Sequence, residues 1–200
     1  MPSPIKKIIF VAGIALWVTG VAWGMKWMTD YSFTPGEAGT PATSWPGAEI
    51  GRGSGRFTLV VGLHPECPCS QATLDELDRI LLEAGDSLDV IVVFDDTVPT
   101  VPVRSSSLYQ RAAQLPRTRL VCLTSAAELQ RFDFRTSGET RLYRPDGKLA
   151  FRGGITASRG HVGDNPGATA VVRYTRAELC GTTATPAFGC ALTPGKNVSR

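Results

Sequence analysis

The stretch that decides the fold is Phe57–Ala84, FTLVVGLHPECPCSQATLDELDRILLEA. It begins with an apolar run rich in β-branched residues, Phe57–Leu63, which predicts a strand. Cys67-Pro68-Cys69 follows the strand and opens a segment whose apolar residues recur at helical spacing. These apolar residues are Leu74, Leu77, Ile80, Leu81 and Ala84. The stretch therefore predicts a strand, a turn and a helix, with two thiols at the turn.

The composition limits the kind of protein this chain can be. It has 200 residues, of which 42% are hydrophobic and 20% charged, enough for one globular domain of ordinary size with appendages. The formal net charge is +3, and no dense cluster of Lys and Arg is interleaved with aromatic residues. We therefore expect no nucleic-acid partner.

The position of the two cysteines predicts that they are reactive. Pro68 suits a first helical turn, because its missing N–H is not needed there, and Ser70 can accept a hydrogen bond from a free N–H beside it. The positive end of the helix dipole would lie next to Cys67 and Cys69, which stabilises thiolate over thiol. This lowers a cysteine pKa from about 8.5 towards neutrality, so we expect these two residues to carry the chemistry.

A redox hypothesis assigns a role to each residue of the turn. Cys67, as the more exposed thiol, attacks a partner's disulfide, and Cys69 resolves the mixed disulfide. Glu66 and His64 are the candidate groups for moving protons, although Glu66 would also raise the pKa of a neighbouring thiolate. A Cys67–Cys69 disulfide closes a small ring and strains the S–S dihedral away from about 90°. Strain raises the reduction potential, so we expect the pair to be more oxidising than that of thioredoxin, towards oxidant or isomerase behaviour.

The same thiols have a second interpretation as a metal site. Two thiolates one residue apart are soft ligands that suit Cu(I) or Zn(II), as in a copper-binding or metallochaperone protein. The candidate ligands are Cys67, Cys69, His64, His161 and Cys190. The redox interpretation needs no cofactor and no metal. A third interpretation is a binding module that keeps the fold without catalysis.

The chain has five cysteines, so at least one thiol lies outside any intramolecular disulfide set. Cys122 lies in a predicted apolar strand, and we expect it to be a buried small hydrophobe. Cys190 is either a third redox thiol that returns to the active site or the partner of Cys180 in a stapling disulfide, and we favour the staple. His161 lies in the polar, glycine-rich segment Ile155–Gly167, which forms either a rim of the active site or a self-capping turn.

The N-terminal residues predict a membrane segment. Two lysines precede Ile8–Met25, a run without charge that is just long enough to cross a bilayer as a helix. Basic residues before the run favour a single-pass topology with a cytoplasmic N-terminus and an exported C-terminal domain. A cleavable signal peptide is the competing interpretation, because Ala22-Trp23-Gly24 places small residues where a signal peptidase would need them. Both interpretations export the domain.

Four regions follow from these patterns. Residues 1–28 are the predicted transmembrane anchor or signal peptide, and residues 29–55, rich in Gly, Pro, Ser and Thr, are a flexible linker. Residues 56–179 form the folded domain, and residues 180–200 an irregular tail that contains cysteines. Within the domain, the elements follow the order β-α-β-α-β-(α)-β-β-α, with an Asp-Gly turn in the last hairpin. This order predicts an α/β domain with a mixed sheet and helices on both faces.

With two cysteines at a strand-to-helix turn and a hairpin before the last helix, the chain resembles the thioredoxin fold. The resemblance covers Arg56–Leu179 and is to the membrane-tethered, exported thioredoxin-like proteins of the TlpA and ResA type. Several motifs together resemble a narrower bacterial family labelled RedB. These motifs are HPECPCS at 64–70, TSGE and RLYRPDG at 136–147, GGITASRGHVGDN at 153–165 and TPAFGC at 185–190.

The resemblance implies a thiol–disulfide oxidoreductase in a bacterial inner membrane, with its domain in the periplasm and a protein dithiol or disulfide as substrate. Two features differ from ordinary thioredoxins. The cysteines are one residue apart, which aligns Cys69 with the resolving cysteine, Cys67 with a glycine and Glu66 with the attacking cysteine. Residues 137–140 stand where thioredoxins carry a cis-proline facing the disulfide, so we expect substrate docking to differ there.

Overall fold

The structure, a computed structural model, consists of two compact units, Met1–Thr34 and Pro35–Arg200. It describes residues 3–47, 50–53, 55–96, 102–124 and 131–192.

The first unit contains the helix α1, Pro4–Phe33, which has 30 residues and no buried side chain. The helix is long and apolar enough to cross a membrane. The predicted N-terminal apolar helix is therefore present, and it ends at Phe33 rather than at residue 28.

The second unit is built on a five-stranded mixed sheet in the order β3-β2-β1-β4-β5. Its strands are β1 (Phe57–Leu63), β2 (Leu88–Asp95), β3 (Thr118–Leu123), β4 (Glu139–Tyr143) and β5 (Leu149–Gly154). β1 pairs in parallel with β2, and β2 with β3, whereas β4 runs antiparallel to both β1 and β5. The predicted mixed α/β sheet is confirmed, and the strand before the cysteine turn is central in it.

Side chains of β1 alternate between two cores, as the period of a strand requires. Leu59, Val61 and Leu63 belong to the core that includes residues of the helices. These helices are α2 (Ser70–Ala84), α3 (Ser107–Ala112) and α4 (Pro166–Thr175). Val60 belongs to the second core, on the other face of the sheet. Its other members come from neighbouring strands and from residues outside the sheet, among them Phe132, Phe134 and Leu192.

The prediction of a flexible linker over residues 29–55 is wrong for much of that range. Residues 29–33 continue α1. Residues 35–47 belong to the second unit and form hydrogen bonds with other segments of it. The Gly36 N–H donates to the Ala187 carbonyl at 2.8 Å, and the indole of Trp45 packs edge-on against Tyr143 at 5.0 Å. A segment without hydrophobic periodicity can still be ordered when its backbone groups find partners on a sheet.

The tail has little regular structure over its described residues, as predicted, but it is bound along β5. The Arg152 N–H donates to the Thr183 carbonyl at 3.0 Å, and the Thr185 N–H donates back to the Arg152 carbonyl at 3.1 Å. Gly154 allows a close approach, because a Cβ there would lie 2.6 Å from the Pro186 carbonyl oxygen. Hydrogen bonds to β5 therefore determine the path of the tail along the edge of the sheet.

A buried ion pair fixes the loop that precedes β4. The Glu139 and Arg141 side chains are almost completely buried, and Arg141 Nη2 lies 3.2 Å from Glu139 Oε1. Glu139 Oε2 accepts from the N–H groups of Arg135 and Thr136 at 2.7 and 3.2 Å. Since an unpaired charge would be costly here, the carboxylate holds the loop and the strand together.

Candidate functional site

The turn between β1 and α2 carries Cys67 and Cys69. The Cys67 N–H donates to the His64 carbonyl at 3.2 Å, and the Ser70 N–H donates to the Cys67 carbonyl at 3.0 Å. α2 begins at Ser70, with Cys69 as its N-cap residue. The structure thus places both cysteines at the start of the helix, at the positive end of its dipole.

The tail brings a third thiol to this turn. The Sγ atoms of Cys67 and Cys190 lie 3.0 Å apart. The Ser137 N–H donates to the Cys190 carbonyl at 2.8 Å, and Ala191 forms an antiparallel bridge with Thr136. Gly189 packs so closely that a Cβ would lie 1.9 Å from the Ser137 carbonyl oxygen. The loop before β4 therefore holds Cys190 in register with Cys67.

This contact corrects the prediction for Cys190. The favoured staple to Cys180 is wrong, because the structure brings Cys190 to Cys67 and leaves Cys180 as a free thiol. Cys180 Sγ lies 3.8 Å from the Thr182 carbonyl oxygen, and the side chain packs against the larger core. Cys122, expected to be buried, is half-buried in β3.

The three thiols near the turn differ in exposure. Cys67 is only 1% exposed, whereas Cys69 and Cys190 are half-buried. The prediction that Cys67 is the more exposed thiol is therefore wrong. The turn directs Cys67 towards the tail, and the sulfur of Cys190 lies in contact with it. Cys69 is therefore more accessible to solvent than Cys67.

The contact between the two sulfurs shifts their pKa values in opposite directions, lower for Cys67 and higher for Cys190. Hydrogen bonding from Cys190 lowers the pKa of Cys67 to about 4, against the effect of burial, and the Ser70 hydroxyl acts in the same direction. The same contact, together with burial, raises the pKa of Cys190. The contact therefore favours one shared proton in the reduced pair, held towards Cys190, with the thiolate on Cys67.

Cys69 is held as a thiol by its surroundings. Burial raises its pKa, and the neighbouring Cys67 charge raises it further. The positive charge of Arg159 acts in the opposite direction on both Cys69 and Cys190. The Arg159 guanidinium donates to the Gly189 carbonyl, beside Cys190.

Two serines connect the turn to the loop before β4. The hydroxyls of Ser70 and Ser137 are 2.8 Å apart, and the His64 N–H donates to Ser137 Oγ at 2.8 Å. Ser137 was noted in the sequence only as a departure from the cis-proline pattern. Its hydroxyl connects the end of β1 to the start of α2. The TSGE motif, residues 136–139, is the sequence feature that contains this serine.

The two groups predicted to move protons lie beside the thiols in the chain. Glu66 is exposed, and its N–H donates to His64 Nδ1 at 3.2 Å. The backbone N–H of Glu66 therefore fixes the orientation of the half-buried His64 imidazole. The proton-transfer role of His64 and Glu66 stays a prediction.

The segment from Ile155 to Gly167 contributes Arg159 rather than His161 to the site. His161 is exposed, and its Nδ1 lies 2.7 Å from the Arg159 carbonyl oxygen. The segment also caps α4, since Asn165 Oδ1 accepts from the Ala168 N–H at 2.8 Å. Both predictions for this segment, a rim of the site and a capped turn, describe part of it.

Within the described ranges, no group of three or more His, Cys, Asp or Glu side chains is placed to hold a metal ion. The five predicted ligands are therefore not assembled as one site. Cu(I) can be bound by thiolates alone, so a copper site built on Cys67 and its neighbouring thiols stays a prediction.

No protein-family model matches the chain, and no curated protein matches it. Among solved structures, a hypothetical protein from Sinorhizobium meliloti 1021 matches with a TM-score of 0.56 at 18% identity, over 82% of this chain and 97% of its own. An uncharacterized conserved protein from Geobacillus kaustophilus matches with a TM-score of 0.57 at 15% identity, over 82% and 95%. StoA from Bacillus subtilis matches with a TM-score of 0.46 at 15% identity, over 68% and 98%.

At these sequence identities the likeness concerns the fold and not the activity. The first two structures match most of this chain and nearly all of their own. The sheet order, the antiparallel hairpin at one edge and the cysteine turn after the central strand agree with the predicted topology. The chain has a thioredoxin-like fold, with an apolar helix at its N-terminus.

Proposed function

We propose that the chain is a membrane-anchored thiol–disulfide oxidoreductase whose redox pair is Cys67 and Cys190. The observation that carries the proposal is the 3.0 Å separation of their Sγ atoms. Oxidation would join the two sulfurs, removing two electrons and the one proton that the reduced pair shares, and reduction would separate them. The earlier assignment of the pair to Cys67 and Cys69 changes accordingly, with Cys69 kept as a catalytic residue.

Electrostatics supports Cys67 as the reactive member of the pair. Only the thiolate is a nucleophile in thiol–disulfide exchange, and a thiol of low pKa is also the better leaving group. Cys190 lowers the pKa of Cys67 to about 4, and the helix start adds partly positive N–H groups. Cys67 therefore suits the central position in an exchange reaction, where it both attacks and leaves.

The proposed location and substrate rest on sequence features. Lys6 and Lys7 lie in the first turns of α1, before its apolar stretch Ile8–Met25, which favours a cytoplasmic N-terminus in a bacterial inner membrane and a domain in the periplasm. The motifs that resemble the RedB family support an exported thioredoxin-like protein that acts on a protein dithiol or disulfide. Protease added to intact spheroplasts should digest the domain if it faces the periplasm, and an undigested domain would contradict that orientation.

Thiol counting tests the redox pair. Full-length protein in detergent micelles is treated with diamide, and free thiols are counted after denaturation. We expect the loss of two thiols in the wild type, in Cys69→Ser and in the control Cys180→Ser, because all three retain the pair. The double variant Cys69→Ser/Cys190→Ser should lose none.

An unchanged thiol count in the oxidised wild type would contradict the proposal. Stoichiometric uptake of Cu(I) by reduced protein that shows no such change would instead favour the metallochaperone interpretation. The two results are separable, because the first measures electrons removed from sulfur and the second measures bound metal.

A further inference from the structure

The buried position of Cys67 limits its access to a disulfide on another protein. Cys67 is 1% exposed, so a disulfide on another protein has no open approach to it. Cys69 is half-buried at the N-cap of α2, and the neighbouring Glu66 and Pro68 are exposed. The surface that a partner can reach at this turn is therefore centred on Cys69.

Cys190 is half-buried as well, but its surroundings restrict it. Its carbonyl accepts from the Ser137 N–H at 2.8 Å, and the Leu192 N–H donates to the Arg135 carbonyl at 2.9 Å. The preceding Gly189 lies against the backbone of Ser137 and accepts a hydrogen bond from Arg159. These contacts hold the backbone of Cys190 in place, and its sulfur lies 3.0 Å from that of Cys67.

We propose that Cys69 is the thiol that exchanges with the partner protein, and that it passes the disulfide to the inner pair Cys67 and Cys190. This inference rests on the proposed function, because it takes that pair as the place where the disulfide is stored. It differs from the roles expected from the sequence, since the half-exposed cysteine attacks and the buried one resolves.

Three exchange steps complete the transfer from a partner disulfide. Cys69 loses its proton and its sulfur attacks one partner sulfur, forming a mixed disulfide, and the other partner sulfur leaves and takes up a proton. The Cys67 thiolate then attacks Cys69 Sγ, forming a Cys67–Cys69 bond and releasing the second partner thiol. Finally Cys190, losing its proton, attacks Cys67 Sγ and releases Cys69. The partner disulfide gains two electrons, and Cys67 and Cys190 together lose two.

The same steps run in reverse with a partner dithiol as the reductant. The partner thiolate then attacks Cys69 in the Cys67–Cys69 bond, and Cys67 leaves. Exchange is faster when the leaving thiol has a low pKa, and the thiol of Cys190 stabilises the departing Cys67 thiolate. The geometry therefore serves transfer in either direction.

Trapping with a protein disulfide tests the inference. Reduced full-length protein in detergent micelles is mixed with insulin, and the products are mapped by mass spectrometry. In Cys67→Ser the second step is blocked, so we expect an insulin chain to accumulate on Cys69. Cys69→Ser should lose insulin reduction while diamide still forms its Cys67–Cys190 disulfide, which also shows that this variant is folded.

Each other outcome has a distinct meaning. An insulin adduct on Cys190 in Cys67→Ser, the lack of one on Cys69, or a wild-type rate of insulin reduction by Cys69→Ser would overturn the assignment of Cys69. Failure of the wild type to form a Cys67–Cys190 disulfide with diamide would overturn the proposed function itself. Cys122→Ser, a substitution in β3, serves as the control and should behave as the wild type.

Discussion

Cys67 and Cys190 are separated by 123 residues of chain, and their sulfur atoms lie 3.0 Å apart. One follows the central strand and the other lies in a tail that the sheet and the loop before β4 hold in place. The cysteine nearest to Cys67 in sequence, Cys69, is the more exposed of the two. The site therefore combines an inner pair with an outer thiol, and the following predictions test its parts.

Cys190→Ala should raise the pKa of Cys67. The thiol of Cys190 is the largest influence that lowers this pKa to about 4, and burial acts against it. In the reduced wild type, the ultraviolet thiolate absorbance should fall as the pH drops through about 4. In Cys190→Ala the fall should occur at a higher pH, and in Cys67→Ser it should be missing. Identical titrations of the wild type and Cys190→Ala would show that the sulfurs do not interact.

The same pKa predicts how the stability of the reduced protein varies with pH. A cysteine with an ordinary pKa of 9.0 carries a proton in the unfolded chain below that pH, whereas folded Cys67 has lost it down to about pH 4. The contribution of Cys67 to stability is therefore present above about pH 9 and is lost as the pH falls towards 4. Between about pH 4 and 9, the difference in unfolding free energy between the wild type and Cys67→Ser should therefore increase with pH in urea titrations, and a constant difference over this range would contradict the prediction.

Gly189→Ala should displace the tail from the site. A Cβ at this position would lie 1.9 Å from the Ser137 carbonyl oxygen, so the backbone that carries Cys190 must shift. We expect diamide to form the Cys67–Cys190 disulfide more slowly in this variant. Gly181→Ala is the matched control, because a Cβ there meets nothing within 4 Å. Equal rates of disulfide formation in the two variants would refute the role of this contact.

Arg159→Gln should move the pH dependence of exchange to higher pH. The positive charge of Arg159 lowers the pKa of Cys69, and its removal leaves the opposing effects of burial and of Cys67. The rate of insulin reduction measured across pH should shift upwards for Arg159→Gln. Arg159→Lys, which keeps the charge, should stay closer to the wild type. Superimposable profiles for Arg159→Gln and the wild type would exclude an electrostatic role.

Glu139→Gln should destabilise the domain strongly. It leaves the buried Arg141 charge without its partner, a change that costs about 3–5 kcal/mol in comparable buried pairs. Glu178→Gln removes one partner of the exposed pair with Arg173 and should cost at most about 1 kcal/mol. Urea unfolding of the two variants measures both costs. Equal and small losses would mean that the buried pair does not hold the loop before β4.

The central elements of the fold were predictable because their signals are local. The run Phe57–Leu63 is mostly apolar because β1 lies between two strands and is covered on both faces, and the strand has these same bounds in the structure. The Asp-Gly pair at 146–147 marks the turn of the β4–β5 hairpin, where Gly147 has a φ of +87°. The apolar period after Cys69 marks the buried face of α2.

Local sequence patterns do not predict that Cys190 lies against Cys67. The tail around Cys190 has no periodicity, and backbone hydrogen bonds to the loop before β4 decide where it lies. A spacing argument compares cysteines that are near in sequence, and so it pairs Cys190 with Cys180. The residues at 35–47 escaped prediction for the same reason, since their partners, such as the Ala187 and Gly147 carbonyls, are distant in sequence.

Mapping the disulfide of the oxidised full-length protein tests the central claim most directly. Cys67 shares a tryptic peptide with Cys69, and Cys180 shares one with Cys190, so fragmentation must separate the members of each peptide. We predict that the two peptides are joined through Cys67 and Cys190. A disulfide between Cys180 and Cys190, or a stable bond confined to Cys67 and Cys69 with Cys190 free, would contradict the account.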